Sequence, residues 1–414
     1  MGGLVSSIVI TGTGVISPAG TGADQILEFM DAGATAIAVG STAATLLWPA
    51  AAVRLADSGW PEGQTWANTR KYANGPAHAA VAVARMALER AGAADPADAV
   101  RGGTIMAVGS SGADELGELM PKLAAMAERD PRPLPKLLYD EVPDYSYIRG
   151  IPSQLGQFVC MATGFRGSNV AVYGEAGAGG FGALAMAARL VDSGELDRVL
   201  VVGVTPALSA AAAVLFDRAD PLGTEAVLGR GPFDIGRTGT FLGQGAVAVM
   251  VERDEVAERR GVRPLATLVS CETISATTRA TALDEAVGVV LDQAGSRPEL
   301  WWAHGSGSPT GDAQECQVVG GRIDAPVTAS KGTLGNAFEC AGLIDVALAV
   351  AALQRDRIPP VGLLQKPDPA LGDLDFVHSS PRAVPGVGSA LVTTMSHGES
   401  SPTAGAAMIT RKAM

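Results

Sequence analysis

The stretch Asn169-Val-Ala-Val-Tyr-Gly-Glu-Ala-Gly-Ala-Gly-Gly-Phe-Gly-Ala-Leu184 decides the reading of this chain. Residues 169–173 carry the β-branched and aromatic side chains of a strand. Small residues follow at once, and from Ala178 they run into an apolar segment with helical character through 193. A strand that turns this sharply into a helix needs a residue free of the usual backbone limits, and Gly177 stands at that turn. Glycine brings no side chain, so the tip of the turn carries no thiol or hydroxyl.

Around this element the chain reads as α/β. Residues 5–10 are a strand expected to end in the turn Thr11-Gly-Thr-Gly14. A buried helix over 77–92, closed by Gly92, precedes a strand from Gly103 to Val108. A helix is expected over 113–128, stopped by Pro131 and Pro133. Arg198–Val204 reads as a buried strand in a mainly parallel sheet, and 205–242 as loop-dominated. Gly243–Val251 is a further strand, followed by a polar helix from Glu252 to Arg260. A new strand–helix series starts at Leu265, so the chain divides into halves at 1–253 and 254–414.

The bulk properties narrow the function. The 414 residues suffice for two large lobes, and with 47% hydrophobic but only 5% aromatic residues the core is built from small aliphatic side chains. A net charge of −12 argues against nucleic acid and anionic membrane as partners. It also opposes docking of an acidic protein, unless the docking patch is local or belongs to a partner chain. Cys160, Cys271, Cys316 and Cys340 form no C-x-x-C pair and read as reduced thiols. No metal-ligand spacing occurs among the four histidines. No basic segment leads into Val5–Ile10 and no apolar run is long enough to span a bilayer, so a cytoplasmic location is expected.

Four further blocks resemble the β-ketoacyl synthase family, in its order. Ile8-Val-Ile-Thr-Gly-Thr-Gly-Val-Ile-Ser-Pro-Ala-Gly20 looks like the family's opening strand. Pro232-Phe-Asp-Ile-Gly-Arg-Thr-Gly-Thr-Phe-Leu-Gly-Gln-Gly-Ala246 follows its "P-F-D-x-x-R" block, with Gln244 where relatives have glutamate. Ala303-His-Gly-Ser-Gly-Ser-Pro-Thr-Gly-Asp-Ala-Gln-Glu315 follows "H-G-T-G-T-x-x-G-D-x-x-E", and Ser330-Lys-Gly-Thr-Leu-Gly-Asn336 follows "K-x-x-x-G-H". The resemblance implies a thiolase-like fold: two pseudo-duplicated βαβ-rich halves in a five-layer αβαβα arrangement, dimeric.

On the same resemblance, Asn169–Leu184 aligns with the turn that carries the nucleophilic cysteine, and the Cys-His-His triad becomes Gly177, His304 and Asn336. Glycine cannot form an acyl thioester. Asparagine can donate a hydrogen bond but carries no charge. Lys331 and Asp345 occupy supporting positions and read as a buried ion pair. Where relatives have "G-F-G-G-x-N" this chain has Gly398-Glu-Ser-Ser-Pro-Thr403, and a carboxylate at Glu399 would oppose an oxyanion.

These losses are similar to those of the chain length factor, the ketosynthase-like β subunit of type II polyketide synthases. The resemblance therefore implies a non-condensing subunit. A ketosynthase α subunit would be its heterodimer partner, an acyl carrier protein would bring the substrate, and it would need no cofactor of its own. Its helix 113–128 would line the polyketide tunnel through Leu116, Leu119, Met120 and Leu123, and Val170 and Val172 would be buried at the dimer interface. Two enzymatic alternatives stand beside this: a malonyl-carrier-protein decarboxylase, against which Asn336 argues, and a cysteine-independent acyltransferase with His304 as base.

Overall fold

The computed structural model describes residues 7–40, 48–93, 101–109, 119, 122–151, 153–174, 177–205, 208 and 210–412. The strands along the path of the main sheet are β1 (Ile8–Ser17), β2 (Gly102–Val108), β3 (Asn169–Tyr173), β4 (Arg198–Val204), β5 (Ala246–Arg253), β6 (Ala266–Ser275), β7 (Trp301–Trp302), β8 (Val327–Thr328), β9 (Ser389–Met395) and β10 (Thr403–Arg411). The helices that matter here are α1 (Gly75–Arg90), α2 (Ser153–Thr163), α3 (Ala178–Asp192), α4 (Ala210–Ala219), α5 (Arg279–Ala294), α6 (Pro309–Gly320) and α7 (Ala341–Arg355).

The ten strands join in the order β8-β7-β9-β10-β6-β1-β5-β4-β2-β3. Strands from residues 1–253 lie on one side of the sheet and strands from 254–414 on the other. Within the sheet the two sides are joined where Val9 and Ile10 of β1 pair with Thr267 and Ala266 of β6. Helices α3 and α7 pack against each other and against strands of both sides. α1 and α2 cover the outer face of the first side, and α5 and α6 that of the second. The result is five layers, helix–sheet–helix–sheet–helix.

Sequence follows from this layering. A strand covered on both faces has no solvent side, so all seven residues of β4, Arg-Val-Leu-Val-Val-Gly-Val, are buried. A helix between two sheets must be apolar all round, and in α7 every residue from Ala341 to Leu353 is buried. α3 carries the glycines: a Cβ on Gly180 would lie 2.7 Å from the Glu339 carbonyl oxygen and 2.9 Å from Leu343. Phe181 fills the centre of the middle layer, fully buried against Gly342 and Gly405.

Three sequence expectations need correction. The sheet is mixed rather than mainly parallel. Its middle ladders, β4–β5, β5–β1, β1–β6, β6–β10 and β10–β9, are antiparallel, and parallel pairing is confined to β2, β3 and β4 at one end and β7, β8 and β9 at the other. The first strand does not turn at Thr11-Gly-Thr-Gly14 but continues to Ser17. Its glycines admit helix α1: a Cβ on Gly12 or Gly14 would stand 2.1 Å or 2.3 Å from the carbonyl oxygens of Ala87 and Val83. Segment 205–242 contains a helix, α4, whose Phe216 packs edge-on against Phe338 at 4.4 Å. Of the helix read over 113–128, residues 119 and 122–127 are described and helical, while Leu116 and Met120 lie outside the described residues. No helix among the described residues is long and apolar enough to cross a membrane.

The packing makes one strong demand on stability. Phe181→Ala should lower unfolding free energy by about 3–5 kcal/mol, because two flanking glycines offer no side chain to refill the void. Urea denaturation of the purified chain checks this, and a change below about 1 kcal/mol would mean that the middle layer collapses onto the gap.

Candidate functional site

Gly177 caps the start of α3 with φ 92° and ψ −54°, a conformation that side-chain-bearing residues rarely adopt. It is buried, and its N–H donates to the Phe338 carbonyl at 2.9 Å. The direction a side chain would take from this turn is informative. A Cβ here would point to within 3.5 Å of His304 Cε1, so the turn and the histidine share one site although they come from opposite halves of the chain.

His304 follows β7 and is fully buried. Its Nδ1 accepts the Met395 N–H at 3.4 Å, which leaves the proton of a neutral ring on Nε2. Burial holds the ring well below the usual histidine range, reinforced by the positive charges of Lys331 and Arg279 and by His397. The loop that presents it is pinned by Glu315: the carboxylate accepts N–H bonds from His304 (2.7 Å) and Gly305 (2.8 Å) and the Thr393 hydroxyl (2.7 Å). Asp312 does the same for the next turn, accepting from Phe233 N at 2.8 Å and Gly307 N at 3.1 Å beside Arg237. Burial pushes Glu315 up to about 7 and Asp312 up to about 6, and the N–H donors partly offset it. The "G-D-x-x-E" spacing is thus a structural device: one helical face, α6, grips the loop before it.

Asn336 stands on the opposite wall. Its Oδ1 accepts the Phe338 N–H at 3.2 Å, and Phe338 in turn accepts from Gly177. The amide therefore braces the turn at 177 through two short links. Lys331 and Asp345 form a buried ion pair at 2.9 Å, and Asp345 also accepts from Trp302 Nε1 at 3.0 Å and from the Ser330 hydroxyl. Every strong partner of that carboxylate is structural, in line with support rather than chemistry.

Glu399 departs from expectation. The sequence suggested a carboxylate opposing an oxyanion, but its Oε1 lies 3.1 Å from Arg279 Nε and its Oε2 accepts the Arg279 backbone N–H at 2.9 Å. Despite partial burial, those bonds and Gln314 hold it below the usual carboxylate range. Its charge is neutralised at the start of α5. The C-terminal groups beside Gly177 are instead Thr394 and Met395. Sequence reading also missed the network behind them. Arg279 bonds Asp220 at 3.0 Å, Asp220 accepts from Ser308 at 2.7 Å, and His397 Nε2 meets the carbonyls of Phe216 and Asp220. Motif matching passes over these residues because none carries a pattern of its own.

None of the four cysteines has the setting of a nucleophile. Burial raises all of them: Cys340, held by Thr205 and the Ala337 carbonyl, to about 12, and Cys160, Cys271 and Cys316 also above the ordinary thiol value. Val170 and Val172 are half-buried on β3, which ends the sheet and pairs only with β2 among the described residues. Leu123 is buried and Leu119 half-buried.

Residues 5–257 match the Beta-ketoacyl synthase, N-terminal domain, and residues 267–364 match the Beta-ketoacyl synthase, C-terminal domain. The chain belongs to the β-ketoacyl synthase family. Among its relatives is the tetracenomycin polyketide synthase ketoacyl synthase alpha subunit of Streptomyces glaucescens, 28% identical over 89% of this chain and 90% of that protein. A putative polyketide beta-ketoacyl synthase 1 of Streptomyces virginiae is 29% identical over 56% of this chain and 58% of that protein. Two solved structures share the fold over 99% of this chain and all of theirs. They are the ishigamide ketosynthase/chain length factor, with TM-score 0.84 and 21% identity, and a β-ketoacyl synthase of Burkholderia phymatum, with TM-score 0.82 and 22% identity. The thiolase-like ketosynthase fold expected from the sequence is the fold found.

The buried histidine gives this family member a testable pH signature. The folded state holds His304 neutral while the unfolded chain takes up a proton near 6.5, so the native state binds fewer protons and loses stability as pH falls below 6.5. Replacing His304 by Asn removes that loss. Relative to the wild type, the variant should gain up to about 1.4 kcal/mol per pH unit as pH is lowered below that value, read from urea midpoints. Separately, Lys331→Met leaves Asp345 buried without its cation and should cost about 3–5 kcal/mol.

Proposed function

We propose that this chain is a non-condensing ketosynthase-like subunit of the chain length factor kind. It pairs with a ketosynthase that keeps its cysteine, and together they extend a polyketide or polyene chain delivered by an acyl carrier protein in the cytoplasm. The observation that carries the reading is Gly177 at the tip of the turn facing His304, a position with no side chain to serve as nucleophile. The raised cysteines support it, since no other thiol takes over. Asn336 supports it as well, because its amide, held through Oδ1 by the Phe338 N–H, carries no charge with which to match a histidine that stabilises an enolate. The relatives named above act in polyketide formation, and one structural neighbour is a ketosynthase/chain length factor.

The edge strand supports the partnership. β3 presents Val170, Val172 and the exposed Tyr173 beside an unpaired row of backbone groups, and a strand from another chain would cover them. In this reading Leu119 and Leu123, with Leu116 and Met120, belong to the wall that limits product length.

Incubation of the isolated chain with acyl- and malonyl-loaded carrier protein is the direct test. The expected result is no covalent adduct by mass spectrometry and no CO₂. CO₂ release without a partner would favour the decarboxylase alternative, and an acyl adduct would overturn the non-condensing reading. Co-expression with the partner ketosynthase should yield a 1:1 complex, and Val172→Asp should abolish it, because burying an unpaired carboxylate costs several kcal/mol.

A further inference from the structure

Thr394 is the oddity of the site. It lies on β9, is fully buried, and its hydroxyl has no hydrogen-bond partner among the described residues. Its neighbour Thr393, pointing to the other face of the strand, is fully used: it accepts from Trp301 Nε1 at 2.9 Å and donates to Glu315 at 2.7 Å. A buried hydroxyl without a partner is destabilising where it stands, so its position calls for a reason. The reason is what it faces. A Cβ on Gly177 would lie 2.8 Å from Thr394 Oγ1 and 2.7 Å from the Met395 carbonyl oxygen, both closer than real Cβ contacts come.

We propose that Thr394 is a closing residue: it fills the space that a side chain at position 177 would need, so that the loss of the nucleophile is locked by a second residue on another strand. The proposal rests on reading Gly177 as the vacated nucleophile position and deepens it. The turn has not been left as an empty socket awaiting a thiol. β9 has closed over it, with the Thr394 hydroxyl on one side and the Met395 carbonyl on the other, and φ 92° adds backbone strain for any L side chain. A single Gly177→Cys substitution therefore puts its sulfur into a closed site, whatever the rest of the triad can do.

A double-mutant cycle on the full chain tests this, with urea midpoints as readout. Thr394→Ala and Thr394→Val alone should hold or raise the midpoint, since each removes an unpartnered hydroxyl. Gly177→Ala alone should lower it. In the Thr394→Ala background about half of that loss should return, the Met395 carbonyl and the backbone strain at position 177 accounting for the rest. In the Thr394→Val background none should return, because valine keeps the blocking shape. Strict additivity with alanine, or equal recovery with valine, overturns the proposal. If Gly177→Ala alone gives no folded protein, folded protein from the Thr394→Ala pair supports it, and none from that pair overturns it. A second readout follows the site itself. The thiol of Gly177→Cys, tracked by iodoacetamide labelling and peptide mass, should react roughly tenfold faster with Thr394→Ala than without. Equal rates overturn the lock. Acylation of the unaltered chain by carrier-bound substrate would sink the non-condensing reading, whereas the coupling between positions 177 and 394 is measured independently of it.

Discussion

Two helices packed back to back between the sides of one sheet are the constraint on which the rest of this molecule depends. α3 and α7 bury most of their length between the two sides, so the residues there are mainly small or apolar, with Arg189 and Asp192 exposed near the end of α3 and Asp345 buried in α7, and close backbone contact sets their spacing. Gly180 exists because the Glu339 carbonyl passes where its Cβ would be, and Phe181 fits because Gly342 and Gly405 make room. The start of α3 is thereby fixed beside the loop after β7, and Gly177 and His304 meet whether or not chemistry takes place between them. The scaffold is thus held by packing in which a side chain at position 177 takes no part.

Ion pairs and buried carboxylates complete the scaffold. Glu315 and Asp312 collect backbone N–H groups of the loop 303–308, and Asp345 ties that loop's strand to α7 through Trp302 and the segment after β8 through Lys331. Arg279 gathers Asp220, Glu399 and the Ser396 carbonyl into one cluster at the C-terminal segment. The family motifs here hold the loops in shape.

Most of the fold was legible from local pattern. Arg198–Val204 and Asn169–Tyr173 read as strands because their composition is unambiguous, and both spans match the structure. The first strand reads short because Gly12 and Gly14 look like turn residues, whereas they answer a helix crossing at close range, a tertiary fact invisible along the chain. α4 escapes notice because its run of small residues lies among the glycines and charges of 205–242. Strand direction misleads because alternation of strands and helices suggests parallel pairing, and only the long-range crossings of β1, β5, β6, β9 and β10 reveal otherwise. The meeting of the turn at Gly177 with His304 was readable by register, yet the surroundings of Glu399 were not, since Arg279 is remote in sequence. Thr394 had no signature at all. Its importance lies in an unmet hydroxyl and a short distance.

The uncovered edge of β3 has a consequence for how the protein must be made. A strand that ends the sheet, with Tyr173 exposed and ladder pairing on one side only among the described residues, can template an extended segment that comes near it. Its safe concentration is set by how quickly that edge is covered after synthesis. Balanced production with whatever covers it then becomes part of the protein's physical design, and surplus chain is the form most exposed to aggregation and to degradation.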